Sequence, residues 1–127
     1  MLTINASAWA KISAVTIMST ERRLVLSVGI GAYNKRYLQP LYGPVQDALS
    51  MAQTAALTPG FDTGDVTFKE DLRCRDLQLQ LLKMQSEITE KPEEVGLVLV
   101  YLSGQLLRVA GPLIFCFSCC TQQPTCL

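Results

Sequence analysis

The chain has 127 residues, enough for one domain around one core, and its 49% hydrophobic content suits a folded protein. Eleven basic residues balance 11 acidic ones, so no excess of charge favours nucleic acid or an acidic membrane, and one protection against self-association is missing. Histidine is absent, which excludes a Ser/His or Cys/His catalytic pair and any histidine metal ligand within the chain.

Residues 1–21 read as a leader, disordered or weakly helical. They are mildly apolar, but Lys11 interrupts them and no basic region precedes, so neither a signal peptide nor a membrane span is expected. Arg22 and Arg23 read as a solvated charge pair at the border of the domain. Residues 24–30 form a nearly continuous apolar run, the pattern of a strand buried on both faces. The run closes on Gly29, Ile30 and Gly31. A dinucleotide-binding fingerprint would need a third glycine opening a helix, where Asn34 stands instead. The glycines are therefore assigned to a sharp turn, with a nucleotide-binding module kept as an alternative.

Residues 35–42 read as a loop. Gly43 and Pro44 open a helix, with Val45, Ala48, Leu49, Ala52, Ala55 and Ala56 on one apolar face. Asp47 is placed in its first turn, where a carboxylate complements the helix dipole. Thr58, Pro59 and Gly60 end the helix. A turn over 62–65 leads to a short second strand at 66–68. The second helix is expected over 74–89, burying Leu77, Leu81, Met84 and Ile88. Cys74 at its start reads as an ordinary thiol.

Residues 95–102 are apolar and branched without alternation, and form the third strand. The order strand–helix–strand–helix–strand predicts an α/β fold: a parallel sheet with helices on both faces, in three layers. With the strands in the order second, first, third, growth reverses between the first and third. The crevice at that reversal is bounded by residues 29–33 and 103–105. Residues 107–109 and 113–115 read as a small hairpin around Gly111 and Pro112.

Five cysteines are present, four of them (Cys116, Cys119, Cys120 and Cys126) crowding the last dozen residues. An odd count without a secretory signal is expected of reduced thiols in a cytoplasmic protein. The tail lacks the glycine turns of zinc knuckles and is flanked by phenylalanines, so no metal and no cofactor are assigned. Palmitoylation is an alternative. The domain plan is a leader at 1–21, a partial domain at 22–115 and a cysteine-rich tail at 116–127, unrelated to the domain before it.

Residues 24–33 (LVLSVGIGAY), 41–51 (LYGPVQDALSM), 61–71 and 98–111 (VLVYLSGQLLRVAG) together resemble the first half of a caspase-like cysteine peptidase domain. The likeness is nearer to the metacaspase and bacterial caspase-like branch, and covers residues 22–115. In that family the third strand ends in Tyr-x-Ser-Gly-His-Gly, and its histidine works beside a cysteine at the end of the fourth strand. Thiolate attacks the peptide carbonyl and imidazolium protonates the leaving amine.

Here Tyr101, Ser103 and Gly104 match, Gln105 stands where the histidine belongs, and Leu106 where glycine belongs. A glutamine amide hydrogen-bonds but carries no proton near neutral pH. The family's Asp-x-Cys strand is missing, because Cys116, Cys119 and Cys120 come too early. The resemblance thus implies a cysteine endopeptidase fold, cutting after basic residues in the family, with no catalytic residue in this chain. The alternative is the first part of an active enzyme.

Asp47, in Gln46-Asp47-Ala48, matches the family's Asn-Asp-Ala, whose aspartate receives a substrate Arg or Lys. A peptide with such a side chain is therefore an expected partner. The family's fourth strand would cover the third. Truncated after the third strand, the fold is expected to self-associate, or to pair with another caspase-like chain, along that edge.

Overall fold

The structure, a computed structural model, describes residues 21–33, 39–108, 111 and 113–117. The apolar run near the start becomes β1 (Arg22–Gly29), buried along nearly its whole length. It lies in the middle of a three-stranded parallel sheet between β2 (Val66–Glu70) and β3 (Val95–Ser103), in the order β2-β1-β3. Cover on both faces and a neighbour on each edge suit so unbroken an apolar sequence.

Helix α1 (Gly43–Leu57) packs on one face and α2 (Cys74–Glu90) on the other, giving an α/β fold. Side chains alternate along β1 and decide which helix each meets. Ser27 points to α1 and donates its hydroxyl to the Ala48 carbonyl at 2.7 Å. Ala48, Ala52 and Ala55 are buried there, small enough to bring the helix close to the sheet. Leu26 and Val28 point the other way, into a cluster with Leu77 of α2, Ile30, Tyr33, Cys116 and Phe117. Burial therefore continues past Phe115, where the domain was expected to end.

Several expectations need correction. Arg22 and Arg23 are not a solvated pair. Arg23 is 2% exposed, with its guanidinium 5.4 Å from the centre of the Phe61 ring. Arg22 donates through Nε and Nη2 to Asp65 at 3.2 and 2.6 Å, and through Nη2 to Glu87 at 3.3 Å. The bond and charge of Asp65, with Glu87 behind them, hold this guanidinium protonated more firmly than an ordinary arginine. Leu81 is not buried but 40% exposed. Gln80, Met84 and Glu87 instead face the sheet, lining a pocket with Arg22, Asp65 and Thr67.

After β3, β4 (Leu106–Arg108) and β5 (Leu113–Phe115) form the expected antiparallel hairpin as a separate two-stranded sheet, turning at Gly111 with φ 113°. Among the described residues no helix is long and apolar enough to cross a membrane.

Candidate functional site

The crevice forms where the chain leaves the carboxyl ends of β1 and β3. Ile30 continues the ladder by donating its N–H to the Ser103 carbonyl at 2.8 Å. The chain then swings over the strand ends, and Leu41 N donates to the Gly31 carbonyl at 2.9 Å. A Cβ on Gly29 would collide with the Pro44 carbonyl and Val45 Cα, and one on Gly31 with the Leu41 carbonyl. Both glycines are thus explained by close approach of backbone to backbone.

Asp71 fixes the turn from below. Its Oδ1 accepts the N–H groups of Gly31 and Ala32, each at 2.9 Å, while its own N–H donates to the Gly29 carbonyl. It adopts φ 51°, a left-handed conformation that aspartate tolerates better than most residues. Between this turn and Pro40, Leu41, Tyr42 and Val45 lies a cavity of about 350 Å³, which Gln46 also lines.

Tyr33 joins the crevice to the hairpin. Its ring is buried; its hydroxyl accepts the Gln105 N–H at 2.9 Å and donates to the Cys116 carbonyl at 3.2 Å. The Cys116 N–H returns to the Gln105 carbonyl at 2.9 Å. Gln105 is therefore held at both backbone groups, and its side-chain Nε2 donates to the Gln39 carbonyl at 2.7 Å. Gly104 is half-buried, and a Cβ there would press on the Tyr33 hydroxyl and the Phe115 ring. Ser103 contributes its carbonyl to the ladder.

The structure brings Ser103, Gly104 and Gln105 to the crevice, and Asp47 is exposed on α1. The helix begins at Gly43, so Asp47 falls beyond the first turn, which holds no acidic residue; the expected dipole contact is corrected accordingly. Gln46, not Asp47, lines the cavity. The sequence reading placed Tyr33 at the border of the crevice but gave it no role, and it missed Asp71 as a site residue. The available signals were an aromatic hydroxyl within the buried turn and an aspartate directly after a strand, where left-handed backbone is common.

Cys74 is half-buried against the α2-side cluster and Cys116 is buried, and neither is in a disulfide. Cys119, Cys120 and Cys126, with residues 1–20 of the leader and Asn34, lie outside the described residues. Among the described residues no cluster of Cys, Asp and Glu could hold a metal ion.

Fold and crevice define a small α/β domain with a three-stranded parallel sheet. Comparison with protein-family models, curated proteins and solved structures finds no match to this chain.

Proposed function

We propose that this chain is a caspase-like domain fragment that does not cut peptides and acts by binding, taking a peptide with an arginine or lysine side chain at the crevice beyond β1 and β3. The observation that carries the reading is Gln105. It occupies the strand-end position where the resembling family has its proton carrier, and its amide is bonded to the Gln39 carbonyl. An amide in that place neither takes up nor returns a proton at neutral pH. Asp47, exposed and next to the cavity-lining Gln46, offers a carboxylate to a basic side chain by a charge-assisted hydrogen bond.

The test pairs catalysis with binding. Fluorogenic Arg and Lys peptides, with and without calcium, should show no turnover, and an electrophilic peptide probe should leave the protein unlabelled. An uncleavable arginine peptide should bind, and Asp47→Ala should weaken it about tenfold, the equivalent of one exposed charge-assisted bond. Cleavage faster than by a version with every cysteine replaced by serine overturns the non-catalytic part. Equal binding of arginine and glutamate peptides overturns the choice of ligand.

A further inference from the structure

Among the described residues the outer side of β3 is an edge: the strand pairs with β1 alone there, and its nine residues carry no charge and no proline. Such edges invite another strand. The Ser103 carbonyl points to β1, where it accepts from Ile30. Backbone direction alternates along a strand, so the N–H and C=O groups of Val98, Val100 and Leu102 point outward.

The side chains of the same three residues share the α2 face. They stand beside Leu24, Leu26 and Val28 in the parallel register. Val100 packs against the core, whereas Val98 and Leu102 are each 40% exposed. The two exposed residues are thus placed symmetrically about Val100.

We propose that this edge binds a second copy of the chain, β3 against β3 antiparallel, with the two-fold axis through Val100. In that register Val100 faces its own counterpart and Val98 faces Leu102 of the other copy. Each pair is of the hydrogen-bonded kind, exchanging both backbone bonds. Each exposed apolar side chain then covers the other, which an arbitrary partner strand would not provide. The sheet becomes continuous in the order β2-β1-β3-β3-β1-β2, as a closed isologous dimer. With a formal net charge of zero, no overall repulsion opposes it. This inference stands on the sheet edge alone and does not depend on what the crevice binds.

Sedimentation of the full chain across a micromolar range tests it. The unaltered protein should be a dimer. Val98→Lys or Leu102→Glu alone should weaken it about tenfold, because each change spoils two symmetry-related pairs. The double variant V98K/L102E should recover the dimer, since each lysine then faces a glutamate across the axis. Circular dichroism confirms that each variant is folded, as expected of substitutions at exposed positions. A monomer at 100 micromolar (~100 μM, well above the dissociation constant of a specific interface) overturns the proposal. So does a dimer that appears only after removal of residues 1–20, or a double variant no tighter than the single ones.

Discussion

Tyr33 and Asp71 do most to shape the crevice. Asp71 accepts two backbone donors of the turn over the strand ends, a part-buried one at Gly31 and an exposed one at Ala32. Asp71→Ala should lower stability by about 1–3 kcal/mol, the cost of stranding the part-buried Gly31 donor plus an alanine at positive φ. Asp71→Asn should lose less, because its carbonyl oxygen still accepts and asparagine tolerates the same backbone. Urea unfolding of the pair measures both. Tyr33→Phe keeps the ring and deletes the hydroxyl between Gln105 and Cys116. The expected loss is about 1–2 kcal/mol, with faster amide exchange at Gln105. These roles were illegible in the sequence because each joins residues far apart in the chain, Tyr33 to Gln105 and Gly31 to Asp71. The position of Gln105 past the third strand was legible, since Ser103 and Gly104 mark the strand's end; the bonds that hold its amide were not.

The elements themselves were largely legible, for reasons that differ between them. β1 showed as an unbroken apolar run because it is covered on both faces, whereas β3 is as apolar in sequence but only half-buried. α1 and α2 showed their spacing because each presents only one stripe to the sheet. Boundaries slipped where polar residues extend an element. Lys69 and Glu70 continue β2 because they still pair with Val28 and Gly29. Arg22 and Arg23 belong to β1 because Asp65, Glu87 and the Phe61 ring receive their guanidinium groups. Where β1 meets α1 the packing is backbone on backbone, so Gly29→Ala should cost about 1–3 kcal/mol by forcing the helix start outward. A lowered midpoint of thermal unfolding checks it. Alanine at exposed Gly43, where a Cβ meets nothing, is the control.

For the whole molecule, the sheet order makes β1 the mechanical centre. It is flanked by both other strands and sandwiched between the helices. Hydrogen exchange should therefore be slowest at the amides of Leu24, Leu26 and Val28, approaching the rate set by global unfolding. The outward amides of Val98, Val100 and Leu102 should exchange quickly in dilute solution and slow as protein concentration rises. Loss of that concentration dependence in V98K would tie the protection to the edge.

Among the described strands the middle one is also the first that the ribosome delivers. Arg22 pairs with Val95 and Gly29 with Ser103, so β1 gains its second neighbour only after some seventy further residues have been made (~70, the separation implied by this register). Until then a greasy segment waits in the nascent polypeptide, coverable on one flank at most. Translation speed and chaperone access over that interval, rather than the strength of the finished sheet, should govern how much of the protein a cell recovers in usable form.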